Sequence, residues 1–93
     1  MSQKLKIALA QLSPLVGDVD KNISKLIKIR SNLKKDVDIL VAPELYVSGY
    51  PIDDLVLRED FLKSVSIGIE NLVSISEDSK SSIILGAPRK FNN

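Results

Sequence analysis

One acidic residue, Glu44, stands where a short apolar run gives way to a turn, and it is the sharpest candidate for chemistry in this chain. The apolar run is residues 39–42, and residues 48–51 (Ser-Gly-Tyr-Pro) form the turn signal that follows. A carboxylate at the end of a buried strand can have its ionisation changed by its neighbours while its tip reaches a cleft, which suits a general acid or base. The alternative is a solvated carboxylate in a loop, and spacing alone favours that alternative.

Two tyrosines and two aspartates lie near Glu44 in the sequence. Tyr46 and Tyr50 are of a type that commonly packs within loops, although Tyr50 follows a glycine and could line a pocket and donate a hydrogen bond. Asp53 and Asp54 could form a paired-carboxylate or metal site. Adjacent acids more commonly cap a turn, and from the residues alone we expect that role.

The missing residue types exclude several kinds of site. The chain contains no cysteine and no histidine, which excludes disulfides and argues against a zinc site. Ser48 has no histidine to act as its base, so a serine hydrolase triad is excluded. We therefore expect that the group activated by Glu44 is not part of this chain.

Composition narrows the class of protein further. The 13 basic and 12 acidic residues nearly balance, which gives no electrostatic case for a nucleic-acid partner. The hydrophobic fraction of 44% is ordinary for a folded globular chain. The apolar runs are too short for a membrane span, and the amino terminus has no signal cleavage pattern. We expect a soluble, cytoplasmic protein with no metal site and no membrane partner.

The apolar patterns predict an α/β chain with the element order β-α-β-α-β. Strands are predicted at residues 6–12, 37–42 and 81–88, and the two helices between them are expected to be capped by Asp20 and Asp60. The side chains expected to face inward are Ile23, Leu26, Ile27, Arg30 and Leu33 in the first helix and Phe61, Leu62, Val65, Ile69, Leu72 and Val73 in the second. The lysines expected on the solvated face of the first helix are Lys21, Lys25, Lys28 and Lys35.

This order of elements predicts a parallel sheet. The strands are almost continuously apolar, so both faces of the sheet should be covered. If both helices lie on one side, the other face is bare and requires a further layer. Since the third strand lies close to the carboxyl end, we expect residues 4–93 to be part of a larger domain that is truncated at that end.

Several segments together carry a resemblance to a known family, namely residues 6–12, Val16-Gly17-Asp18, Asn22, residues 38–45 and residues 48–51. This set is similar to the start of the carbon–nitrogen hydrolase (nitrilase) superfamily. The continuation through residues 53–58 to Phe61-Leu62 is similar to one branch, the glutaminase domain at the amino end of glutamine-dependent NAD⁺ synthetases. The resemblance covers residues 4–88.

The resemblance implies both a fold and a mechanism. The fold is an α-β-β-α sandwich, whose second sheet would cover the bare face. The mechanism uses a Glu–Lys–Cys triad, in which Glu44 is the general base that takes the thiol proton and later activates water. The lysine stabilises the oxyanion, and Tyr50 matches a residue that lines the glutamine pocket.

The resemblance also implies partners and cofactors outside this chain. Ammonia would pass through a channel to a separate synthetase domain, which adenylates deamido-NAD⁺ with ATP and Mg²⁺. No cofactor is expected in the chain itself, and the family is homo-oligomeric.

The chain departs from the family pattern at its carboxyl end. The family's lysine and cysteine lie beyond the third strand, and Lys90 comes too early to match that lysine. Residues 42–44 read Ala-Pro-Glu where Phe-Pro-Glu is more usual, a mild change in packing. We therefore predict an amino-terminal fragment that is inactive alone and whose partner is the remainder of a split domain.

Two alternatives stay open. The chain could be a fragment of another amidase of the same superfamily, although residues 53–55 argue against it. It could also be a non-catalytic α/β module that binds a partner chain through an exposed sheet.

Overall fold

The computed structural model describes residues 4–49, 55, 57–78 and 80–89. The elements follow one another as β1 (Ile7–Leu9), α1 (Val19–Ser31), β2 (Ile39–Val41), α2 (Glu59–Ile75) with a short 3-10 helix (Ser76–Asp78), and β3 (Ser82–Ile84). The strands form a three-stranded parallel sheet in the order β1-β2-β3. The predicted α/β class and the order β-α-β-α-β are confirmed.

Each strand is shorter than the sequence predicted. Backbone hydrogen bonds extend the ladder slightly beyond the strands, since the Ala42 amide donates to the Ile84 carbonyl at 2.8 Å. The apolar runs continue further because Leu12 and Leu85 pack against the core from outside the strands. Apolar composition therefore overestimated the strand lengths.

Helix α1 begins two residues earlier than predicted. The Asp18 side chain caps it by accepting a hydrogen bond from the Lys21 amide at 3.1 Å, so the prediction of Asp20 as the cap was wrong. Asp20 instead lies in the first turn, where a negative charge is favourable to the helix dipole. The lysines at positions 21, 25, 28 and 35 are all exposed, as predicted. The prediction that Lys35 and Leu33 belong to this helix was wrong, because α1 ends at Ser31.

Helix α2 begins at Glu59, and Arg58 occupies the N-cap position without a side-chain capping bond. The predicted cap, Asp60, lies inside the first turn and pairs with Arg58 at 3.0 Å. The prediction that Val73 faces inward was also wrong, since it is exposed, one position past the buried Leu72. Neither helix of the described residues is long and apolar enough to cross a membrane.

The two helices pack against each other at Gly68. A Cβ atom there would lie 3.0 Å from Ile23 Cγ1 and 3.2 Å from Val19 Cγ1, so glycine allows the close approach of α2 to α1. Leu26 and Val65 are fully buried in the resulting core. Both helices therefore cover the same face of the sheet.

The other face of the sheet is apolar, exposed at the outer strands and half-buried along β2. We call it the open sheet face, and its residues are Ile7, Leu9, Ile39, Val41 and Ile84. Register places Leu9 beside Val41 and Val41 beside Ile84, so the apolar side chains lie next to one another across the strands. With both helices on one side, the expected bare face is confirmed; the further layer expected to cover it stays a prediction.

A buried arginine joins α1 to the segment before β3. Arg30 donates from Nε to the Ser81 carbonyl at 2.8 Å and from both terminal nitrogens to the Asp78 carboxylate at 3.1 and 2.7 Å. The hydrogen bonds from Arg30, helped by the Lys80 amide, lower the pKa of Asp78 from its ordinary 3.8 to about 2. A bidentate pair of this kind fixes geometry as well as charge.

Candidate active site

Glu44 lies three residues beyond the end of β2, at the carboxyl edge of the parallel sheet. Ligand sites of α/β folds commonly occupy this edge. The structure places Glu44 in a turn, where its side chain is exposed to solvent. A carboxylate so placed can exchange protons with a group brought to that edge.

The turn that carries Glu44 is buried at its carboxyl-terminal end. We call residues 44–48 the glutamate turn; its last three residues, Tyr46, Val47 and Ser48, are fully buried. Within and beside it, the Tyr46 amide donates to the Pro43 carbonyl at 3.1 Å, and the Gly49 amide donates to the Leu45 carbonyl at 2.8 Å. The exposed carboxylate of Glu44 therefore lies at the start of a turn whose backbone is fixed by hydrogen bonds and by buried side chains.

Leu45 has a left-handed backbone, with a φ of 51°. This conformation costs a non-glycine residue about 1–2 kcal/mol, so the surrounding contacts must enforce it. One of these contacts comes from the segment after β3, because a Cβ atom on Gly86 would lie 2.9 Å from the Leu45 nitrogen. Nothing larger than glycine fits there without a shift.

The loop between β1 and α1 also holds the glutamate turn. The Gly17 amide donates to the Ser48 carbonyl at 2.8 Å. Gly49, with a φ of 80°, lies so close to this loop that a Cβ atom would be 2.6 Å from Val16 Cα. The sequence motifs at residues 16–18 and 48–49 thus meet in the fold.

Of the two tyrosines near Glu44, Tyr46 is among the described residues and Tyr50 is not. Tyr46 is fully buried, its hydroxyl finds no hydrogen-bond partner among the described residues, and burial raises its pKa. Tyr46 is therefore a core residue and not an exposed pocket residue. Tyr50, the predicted substrate-binding residue, lies outside the described residues, as do Asp53, Asp54 and Lys90.

Ser48 has a structural role in the turn. Its hydroxyl lies 3.3 Å from the Leu45 carbonyl and 3.1 Å from the Gly49 carbonyl, and it is buried. Both partners are acceptors, so the hydroxyl is used to tie the turn together. This contact was not predicted, because it depends on the turn conformation.

The described residues contain no group of three or more histidine, cysteine, aspartate or glutamate side chains that could hold a metal ion. An apolar groove of about 490 Å³ lies between α2 and β3 and is lined by residues such as Leu72, Ile83 and Leu85. Glu44 is not among its lining residues, so the groove and the glutamate turn are separate features.

The residues present include a proton acceptor, Glu44, but not the thiol that it would deprotonate. Glu44 can accept a proton from a nucleophile or from water, but the chain has no thiol and no imidazole. A covalent route that begins with a thiolate requires a cysteine that these 93 residues do not contain. The site is one carboxylate on a firmly held turn.

Several curated proteins are similar to this chain, among them the glutamine-dependent NAD(+) synthetases of three bacteria. The one from Acinetobacter baylyi is 36% identical over 76 residues, which are 81% of this chain and 14% of the relative. The one from Thermotoga maritima is 44% identical over 62 residues, 66% of this chain and 11% of the relative. The one from Aquifex aeolicus is 33% identical over 84 residues, 90% of this chain and 15% of the relative.

The chain thus spans between 11% and 15% of the length of these curated relatives. No family model matches it. The similarity covers most of this chain in each comparison, and so includes most of the elements that build the sheet and its helices.

Proposed function

Because the chain is homologous to glutamine-dependent NAD(+) synthetases over most of its own length, we propose that it forms part of the domain that releases ammonia from glutamine. In this proposal residues 4–93 are a portion of a carbon–nitrogen hydrolase domain. The observation that carries it is the position of Glu44, exposed on a firmly held turn at the carboxyl end of β2.

Glu44 acts as the general base of the reaction. It takes the proton of a cysteine thiol, and the thiolate attacks the amide carbon of glutamine. Glu44 then passes that proton to the amide nitrogen, so that ammonia leaves, a thioester forms and Glu44 is a carboxylate again. Glu44 next takes a proton from water, which attacks the thioester carbonyl; glutamate is released, and the proton returns from Glu44 to the expelled thiolate. A lysine stabilises the oxyanion of both steps, and Tyr50 lines the glutamine pocket.

The cysteine and the lysine come from polypeptide other than these 93 residues. Without a thiolate the chain alone does not hydrolyse glutamine. The ammonia serves a separate synthetase domain, where ATP and Mg²⁺ act on deamido-NAD⁺. The complete enzyme is cytoplasmic and homo-oligomeric in this proposal.

The remainder of the domain is the partner that covers the open sheet face. Ile7, Leu9 and Ile84 expose more than half of their surface there, and apolar sheet faces are stable when another layer packs on them. In an α-β-β-α sandwich that layer is a second sheet, about 10 Å away. The relatives have ample further chain to supply it.

A chimaera tests the role of Glu44. This chain would replace the matching segment of the Acinetobacter baylyi synthetase, and glutamate release from glutamine would be measured. Glu44→Gln should lower kcat by about 100-fold or more, because a positioned general base contributes on that scale. Glu70→Gln is the matched control, since Glu70 is an exposed glutamate on α2, and it should leave kcat unchanged.

Ammonia-driven NAD⁺ synthesis should survive in the Glu44→Gln chimaera, because the base serves only the glutamine reaction. Equal glutamine hydrolysis by the Glu44→Gln and unsubstituted chimaeras would refute the assignment of the base. An unsubstituted chimaera that makes NAD⁺ from ammonia but never from glutamine would contradict the proposed domain.

The open sheet face also favours a second candidate, a non-catalytic module that binds a partner chain. This candidate requires a stably folded 93-residue chain, whereas a piece of a larger domain should need the missing layer. Size-exclusion chromatography and circular dichroism of the isolated chain separate the two. A folded monomer that the remaining domain does not bind would favour the module.

A further inference from the structure

The side chain of Asn22, in the second turn of α1, is almost completely buried, with 3% of the residue exposed. Its oxygen accepts a hydrogen bond from the Leu15 amide at 2.8 Å. Its nitrogen donates to the Leu15 carbonyl at 2.8 Å and to the Val47 carbonyl at 3.0 Å. A buried polar group with this many partners is well satisfied.

These bonds join three separate segments of the chain. Leu15 belongs to the loop between β1 and α1, Asn22 to the helix, and Val47 to the glutamate turn, 25 residues further along. The Gly17 amide binds the neighbouring Ser48 carbonyl. The last residues of the turn are therefore fixed to α1 and its preceding loop by two adjacent carbonyls.

The chemistry of the contact requires a primary amide. One group must accept from an N–H and donate to two carbonyls, and a carboxylate has no hydrogen to donate. Aspartate would keep only the bond from the Leu15 amide, and alanine would keep none. A buried carbonyl left without its donor is costly, so the turn would lose more than one contact.

We infer that Asn22 is a positioning residue, which sets the place of the glutamate turn, and so of Glu44, relative to α1. It acts through the backbone of Val47 and does not touch the reacting atoms. The inference rests on the proposed function only for what Glu44 does chemically. The position of the turn is a property of the chain and is measured without any reaction.

Amide hydrogen exchange followed by NMR, on the isotope-labelled 93-residue chain bound to the unlabelled remainder of the domain, tests the inference. In Asn22→Asp, exchange of the Gly17, Tyr46 and Gly49 amides should accelerate about tenfold or more, since each depends on the turn and a lost buried hydrogen bond has this scale. The Asp38 and Ser82 amides, bonded at the opposite end of the sheet, should change less than about twofold. Asn22→Ala should give the same pattern.

Asn71→Asp is the matched control, because Asn71 is exposed on α2, and it should leave every one of these rates unchanged. Equal acceleration at both ends of the sheet would overturn the inference, since Asn22 would then support stability in general. Unchanged exchange in the glutamate turn would overturn it as well.

A second measurement needs no substitution and stands even where both variants unfold. In the unsubstituted chain, scalar coupling across the hydrogen bond should connect the Asn22 side-chain nitrogen with the Val47 carbonyl carbon. Its detection supports the inference, and its absence while the Leu15 coupling is seen overturns it. Neither measurement uses glutamine, so failure of Glu44 as a base would leave these results intact.

Discussion

On the covered face of the sheet Leu40 is 1% exposed, whereas Leu9, in the neighbouring strand on the open sheet face, is 69% exposed. Both are leucines in short apolar strands, and sequence patterns alone treat them alike. The helices of this chain can cover one face only, because both pack on the same side. Apolar composition therefore predicts that a strand needs a layer packed against it. Only the fold shows that the helices of this chain provide that layer on one face of the sheet.

The largest expected effect comes from truncating the two leucines separately. Leu40→Ala should lower the free energy of unfolding by about 2–5 kcal/mol, since it leaves a cavity in the core. Leu9→Ala should change it by less than about 0.5 kcal/mol, because that side chain is already in water. Urea unfolding followed by circular dichroism gives both values, and similar losses for the two variants would contradict the comparison of the faces.

Two glycines beside the glutamate turn allow a similar comparison between a closely packed position and an open one. Both have a φ of 80°, but a Cβ atom on Gly49 would meet the Val16 backbone at 2.6 Å, and one on Gly17 would meet only the Leu55 side chain at 3.4 Å. Gly49→Ala should cost about 2–4 kcal/mol from the backbone conformation and the forced shift together.

Gly17→Ala should cost only the conformational part, about 1–2 kcal/mol. Thermal or urea unfolding of the two variants measures the difference. Equal losses would mean that the close approach of the glutamate turn to the loop before α1 is relaxed easily.

The smallest effect concerns two ion pairs and the dependence of stability on pH. Asp78 pairs with the buried Arg30, and its pKa is lowered to about 2; a hydrogen bond from Lys6 lowers the pKa of Asp36 in an exposed pair. A lowered pKa means that the stabilisation is complete above the ordinary value of 3.8. It is lost as the pH falls from there toward 2.

Asp78→Asn should therefore remove part of the acid-induced loss of stability between pH 4 and pH 2, a window set by these pKa values. Asp36→Asn should change it less, because exposed pairs contribute little. Urea midpoints across this pH range are the measurement. An identical acid profile in Asp78→Asn and the unsubstituted chain would show that the Arg30 contact carries no pH dependence.

Much of the fold could be predicted because it depends on local patterns. The order of elements follows from apolar runs and amphipathic segments, and the place of Glu44 follows from the end of β2. The cap of α1 was misplaced because Asp18 and Asp20 are both suitable acids in sequence, and only the bond to the Lys21 amide distinguishes them. Strand lengths were overestimated because core packing continues past the sheet.

The contacts that hold the glutamate turn in place could not be predicted from local sequence patterns. The bond from Asn22 to Val47 and the closeness of Gly86 to Leu45 join segments that are distant along the chain. Sequence spacing carries no signal for such contacts, although Asn22 is one of the residues that match the family motif. The assignments of Glu44 as base and Tyr50 as pocket residue stay predictions.

The open sheet face has a consequence for the thermodynamics of the chain. Unfolding raises the heat capacity in proportion to the apolar surface that it newly exposes to water, ordinarily about 12–15 cal/mol/K per residue. Side chains such as Leu9 and Ile84 are already exposed to water in the folded chain, so they contribute little to the heat-capacity change of unfolding. The curve of stability against temperature is therefore flatter for the isolated chain than its length suggests. A second layer that docks on the open sheet face would bury this apolar surface, so the heat-capacity change of that binding should be negative.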